Sequence, residues 1–122
     1  MKSNLLVYIF ISALFGSSHA LASSCEDAYS AAEEAYSYAR RGYNAGDIDD
    51  LQHYARRAYN AADDAMSYAD ECGCDDAYSS ADEAYTQARR AYNEDELDSA
   101  EDYIRRAMSY AEDAMSAAEN CD

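Results

Sequence analysis

The sequence predicts an all-α protein of two tandem, disulfide-stapled antiparallel helical hairpins of the alanine-seamed coiled-coil type, packed as an up-down-up-down four-helix bundle. Residues 25–72 and 74–121 align without a gap, and 26 of the 48 aligned positions are identical. Within each copy, small residues recur at alternating spacings of three and four, the periodicity of a packed helix seam. A cysteine stands at the first and last position of each copy. These three observations together predict the fold.

The first 22 residues have the layout of an export signal. Lys2 supplies a positive charge, an apolar run extends from Leu5 to Phe15, and Ala20-Leu21-Ala22 supplies small residues before a cleavage site at Ser23. The apolar run is shorter than the ~20 residues that a bilayer-spanning helix needs. We expect residues 1–22 to be removed as a signal peptide and the chain to be secreted or periplasmic, with no membrane association afterwards.

The remaining chain divides into hairpin repeat 1 at residues 23–73 and hairpin repeat 2 at residues 74–122. These 100 residues contain 25 Asp and Glu and eight Arg, which gives a formal charge of 8 − 25 = −17. Such a charge repels nucleic acid and anionic membranes, and it suits cationic partners. Large aliphatic residues are scarce, so order must come from regular close packing and covalent links.

Each repeat has the pattern of a helix, a short acidic connection and a second helix, since it lacks proline and is rich in helix formers. The expected helices are at residues 26–44, 48–71, 75–93 and 96–120. In repeat 1, Gly46 is expected to end one helix and Asp47 to cap the next. Asn93, Glu94 and Asp95 make the corresponding break in repeat 2 without a glycine.

The seam of each hairpin consists of small residues that face each other in antiparallel register. Opposite residue numbers sum to 97 in repeat 1 and to 195 in repeat 2. The hairpin seam comprises Ala28, Ala32, Ala35, Ala39, Ala58, Ala62, Ala65 and Ala69 in repeat 1, and Ala77, Ala81, Ala84, Ala88, Ala107, Ala111, Ala114 and Ala118 in repeat 2. The same register puts the two cysteines of each repeat opposite one another.

The disulfides are therefore expected within repeats, as Cys25–Cys72 and Cys74–Cys121. A disulfide needs Cα atoms ~4.4–6.8 Å apart, and alanine seams bring helices to the close end of their ~8–10 Å packing range. Two other pairings stay open. A Cys72–Cys74 link would close a strained ring, and links from Cys25 to Cys74 and from Cys72 to Cys121 would need the repeats head to head.

Tyrosine and methionine flank the alanine seams. This Tyr/Met stripe comprises Tyr29, Tyr36, Tyr43, Tyr59, Met66, Tyr78, Tyr85, Tyr92, Met108 and Met115. Aromatic residues at helical spacing are more often packed than free, which favours hairpins lying side by side with the stripe between them. The alternative is an elongated rod, with the hairpins end to end and the tyrosines exposed to a partner.

Motifs of catalysis are lacking in the sequence. Beyond residue 22 it has one histidine, His53, and it has neither a glycine-rich phosphate loop nor the Glu-x-x-His pair of di-metal bundles. We expect no enzyme activity and no cofactor. The acidic loops offer candidate metal ligands, which lack the spacing and central glycine of a calcium loop. They are Asp47, Asp49, Asp50, Glu94, Asp95, Glu96 and Asp98.

The function expected from these features is that of an exported, non-catalytic interaction or structural module. Folding each hairpin puts its four arginines at one level near the loop and leaves only acidic charges toward the disulfide end. The module would bind a protein or surface partner through the Tyr/Met stripe or through this acidic end, and a homo-oligomer is a further expectation. One alternative is an acidic protein that binds divalent cations or mineral. Another is an ice-binding protein, although the sequence holds a single threonine, Thr86, whereas ice-binding helices are rich in threonine.

Overall fold

The computed structural model describes residues 25–121, so the expected signal peptide at residues 1–22 lies outside the described residues. Within that range four helices follow one another and no strand occurs. They are α1 at 25–43, α2 at Ile48–Glu71, α3 at Asp75–Asn93 and α4 at Leu97–Glu119. All four expected helices are present, and their ends lie within one residue of the expected positions.

The connections within the two hairpins are built differently. Between α1 and α2, Gly46 has φ +83, and the Asp47 carboxylate caps α2 by accepting a hydrogen bond from a first-turn N–H at 2.9 Å. Between α3 and α4, Glu96 precedes the helix but its side chain makes no capping hydrogen bond. Gln52 of α2 instead donates from Nε2 to the Glu94 carbonyl at 2.8 Å. The loop of the second hairpin is thus held by the first.

The two hairpins are joined by a glycine in a tight helix-ending turn. Gly73 has φ +74, a left-handed conformation that disfavours residues with a Cβ, and its N–H donates to the Asp70 carbonyl at 3.2 Å. The Cys74 N–H donates to the Ala69 carbonyl at 2.9 Å, which completes a Schellman motif. Because α3 begins directly after this motif, it turns back along α2.

The interior is built almost wholly of alanine from all four helices. At each level of the bundle, one seam alanine from every helix belongs to the same buried cluster. From the disulfide end, the levels are Ala28, Ala69, Ala77 and Ala118; Ala32, Ala65, Ala81 and Ala114; Ala35, Ala62, Ala84 and Ala111; and Ala39, Ala58, Ala88 and Ala107. The two seams therefore close on each other, and the molecule is a side-by-side bundle rather than an end-to-end rod.

The loop end of the interior holds the bulkiest buried side chains. Leu51 and Ile104 are both fully buried there and belong to one cluster. Gly42 makes room for Ile104, because a Cβ at this glycine would lie 3.4 Å from Ile104 Cγ1 and 3.3 Å from Tyr54 Cβ. Aliphatic packing therefore closes one end of an otherwise thin alanine interior.

Two disulfides close the other end. Cys25–Cys72 and Cys74–Cys121 join the first and last residues of each aligned copy, with Cα atoms 5.4 and 6.0 Å apart. Both distances are ordinary for disulfides, and none of the four cysteines is free. The pairing expected from the seam register is confirmed, and the Cys72–Cys74 and between-repeat pairings are excluded.

Candidate functional site

The surface of the bundle is sorted into levels of like charge along its length. The half next to the disulfides, here called the acidic half, has 15 exposed carboxylates, and no Arg or Lys lies among them. Seven of them form the level nearest the disulfides: Glu26, Asp27, Asp70, Glu71, Asp75, Asp76 and Glu119. Eight form the next level: Glu33, Glu34, Asp63, Asp64, Asp82, Glu83, Glu112 and Asp113. The acidic half thus presents one sign of charge on all four helices.

An arginine belt follows the acidic half, with two exposed arginines on each helix. The belt comprises Arg40, Arg41, Arg56, Arg57, Arg89, Arg90, Arg105 and Arg106. Acids return beyond the belt at the loops, where the candidate metal ligands Asp47, Asp49, Asp50, Glu94, Asp95, Glu96 and Asp98 lie. Across residues 25–121, no three His, Cys, Asp or Glu side chains are grouped closely enough to hold a metal ion.

The arginines of the belt have different partners in the two hairpins. In α4, Asp102 forms ion pairs with Arg105 at 2.5 Å and with Arg106 at 2.9 Å. His53 occupies the equivalent position of α2, and its Nε2 accepts a hydrogen bond from Arg57 Nε at 3.2 Å. The arginines of the first hairpin therefore lack the carboxylate that engages two arginines of the second.

The Tyr/Met stripe is divided between packing and solvent. In the groove between α2 and α3, the ring of Tyr59 lies edge-on to Tyr85 and Tyr92, with centroids 5.7 Å apart in both pairs. Aromatic pairs of this geometry add ~0.5–1.5 kcal/mol beyond the area they bury. Half-buried positions are taken by Tyr29, Tyr36, Met66, Met108 and Met115, packed on the alanine clusters or beside them. Tyr43 and Tyr78 are 37% and 40% exposed.

On the first hairpin, two arginines share one tyrosine ring, a contact that the sequence did not predict. The guanidinium groups of Arg41 in α1 and Arg57 in α2 each lie 5.8 Å from the ring centroid of Tyr38, a cation–π distance. Gln87 replaces Tyr38 in the second repeat, just as Asp102 replaces His53. The sequence signal for this site is that the two repeats differ at these positions.

None of the helices in the part of the chain that the structure describes is both long and apolar enough to cross a membrane.

Two depressions on the first hairpin, of about 320 and 510 Å³, open broadly to solvent and are lined mainly by polar side chains. Comparison of the chain with protein-family models, with curated proteins and with solved structures gave no match.

Proposed function

We propose that the protein is an exported, non-catalytic binding module whose acidic half binds a cationic protein partner. The observation that carries this proposal is the sorting of charge, with 15 exposed carboxylates and no Arg or Lys over half of the bundle. These carboxylates are spread around four helices instead of converging on one point. A basic protein surface can contact many of them at once, and such complementarity accelerates association and makes it sensitive to salt.

Export is supported by the signal layout of residues 1–22 and by the two disulfides, which persist in oxidising compartments. The N-terminus of the protein purified from its native source tests this part of the proposal. We expect the chain to begin at Ser23. A mature protein that still carries residues 1–22 would contradict signal cleavage.

Calorimetric titration of residues 23–122 with a lysine-rich peptide tests the binding proposal. We expect saturable binding that weakens as salt rises. A variant that neutralises four carboxylates of the acidic half should bind roughly tenfold more weakly, because each exposed contact contributes ~0.2–0.5 kcal/mol. The variant carries Glu33→Gln, Glu34→Gln, Asp63→Asn and Asp64→Asn.

The matched control neutralises four carboxylates at the loop end and so changes the net charge equally. It carries Asp49→Asn, Asp50→Asn, Asp95→Asn and Asp98→Asn, and it should bind the peptide within about twofold of the unmodified chain. Equal weakening of both variants would show that net charge alone matters and would contradict a binding surface on the acidic half. Tight binding of Ca²⁺ with no affinity for the peptide would instead support the divalent-cation alternative.

A further inference from the structure

The two hairpins carry opposite charge around the arginine belt, although each contributes four arginines. Residues 40–57 contain four Arg and three acids, for a net charge of 4 − 3 = +1. The equivalent residues 89–106 contain four Arg and six acids, for a net charge of 4 − 6 = −2. Residues 40–57 are therefore a cationic segment in a chain of formal charge −16.

The arginines of this segment are exposed and free of ion pairs. Within residues 25–121 the ion pairs are those of Asp102 with Arg105 and Arg106, and none involves Arg41 or Arg57. These two guanidinium groups come from different helices, yet both lie beside the Tyr38 ring. Two guanidinium groups that share one ring and form no ion pair leave their charge available to an anion.

A depression of about 510 Å³ at the loop end of α1 and α2 is lined by one member of this pair, Arg41. Most of its polar lining can donate hydrogen bonds, through two guanidinium groups, a side-chain amide, a hydroxyl and a phenol. The residues that line it include Ser37, Arg40, Arg41, Asn44 and Tyr54, with Asp50 as the one carboxylate. Its chemistry therefore suits a ligand that accepts several hydrogen bonds and carries negative charge.

We propose that this face of the first hairpin binds a sulfate or phosphate group, held by the guanidinium groups of Arg41 and Arg57. Guanidinium groups match the oxygens of such anions with paired hydrogen bonds. The second hairpin is a built-in contrast, because Asp102 already occupies two of its arginines. The site is distinct from the acidic half, so the molecule has an anion site at one end and a cation-binding surface at the other.

Titration of residues 23–122 with sodium sulfate tests the proposal, followed by NMR of the arginine Nε–H groups. Sodium chloride at matched ionic strength is the control for screening. We expect saturable shifts of Arg41 and Arg57 with sulfate and smaller, non-saturating changes with chloride. A second titration uses glucose 6-sulfate, in which the sulfate group is carried by a larger molecule. Saturation with both compounds would show that the site accepts a sulfate group on a larger ligand. Saturation with sodium sulfate alone would show that it accepts only the free anion.

The variant His53→Asp makes the first hairpin resemble the second, since the new carboxylate can pair with Arg57 one turn away. It should weaken sulfate binding by roughly fivefold. The matched control Ser67→Asp adds the same charge at an exposed position in the acidic half, and it should leave the affinity within about twofold. Equal shifts with sulfate and chloride, or an unchanged affinity in His53→Asp, would overturn the proposal.

Discussion

At the residue scale, the two repeats differ in side-chain size at two pairs of equivalent positions beside the hairpin seam. Tyr38 faces the small Ala61 in repeat 1, and both belong to one packed cluster. In repeat 2, Tyr110 takes the place of Ala61 and Gln87 takes the place of Tyr38. The exchange keeps each hairpin filled, but it buries the Gln87 side chain, whose Oε1 has no hydrogen-bond partner among the described residues.

We expect Gln87→Met to stabilise the protein by about 1 kcal/mol, because it removes a buried acceptor that forms no hydrogen bond. The same substitution at Gln52 is the matched control. Gln52→Met removes the hydrogen bond to the Glu94 carbonyl and should destabilise the protein by about 1 kcal/mol. Urea unfolding of both variants measures the two changes, and shifts of the same sign would contradict this account of Gln87.

At the element scale, the alanine seams set how closely the helices approach. Each level of the interior has one alanine from every helix, so a larger side chain at any level must push several helices apart. The seams and disulfides support one another, because close helices bring the terminal cysteines within bonding range. The tyrosines then fill the grooves outside this interior.

The variant Ala84→Leu tests the closeness of the seams. Ala84 is 2% exposed, and we expect overpacking to lower the free energy of unfolding by about 2 kcal/mol. Ser67→Leu is the control on an exposed face of α2 and should change stability by less than about 0.5 kcal/mol. Thermal unfolding measures both, and a stable Ala84→Leu protein would mean that the interior has unfilled space.

Removal of either disulfide should destabilise the protein by about 4 kcal/mol, because both close loops of the same length. The sequence separation is 47 in each case, so the two losses should agree within about 1 kcal/mol. The double substitutions Cys25→Ala with Cys72→Ala, and Cys74→Ala with Cys121→Ala, are compared by urea unfolding. A loss far below this value for one pair would show that helix packing alone holds that hairpin closed.

The helices, the hairpin register and the disulfide pairing were predictable from the sequence, because both copies of the repeat show the same spacing of alanines and cysteines. The antiparallel register, in which opposite residue numbers sum to a constant, puts the two cysteines of each repeat opposite one another at the end of the seam. The cap at Asp47 followed from local chemistry. The Gln52 contact with Glu94 and the pair of Arg41 and Arg57 beside Tyr38 were not predictable in the same way. Each depends on how separate helices meet, and no local periodicity encodes such a contact.

At the scale of the whole molecule, a single alanine interior carries a surface sorted by charge. The bundle brings the acidic levels of four helices into one half and their arginines into one belt. If the hairpins lay end to end, each would carry its own separate acidic segment and its own separate group of four arginines. The proposed surface for a cationic partner therefore depends on the side-by-side packing, whereas the proposed anion site lies within the first hairpin.

Small-angle X-ray scattering of residues 23–122 tests this packing most directly. The longest helix has 24 residues, which spans about 36 Å, so the bundle should have a maximum dimension of about 45 Å with the scattering mass of a monomer. A monomer with a maximum dimension of about 75 Å would mean hairpins placed end to end and would contradict the shared alanine interior.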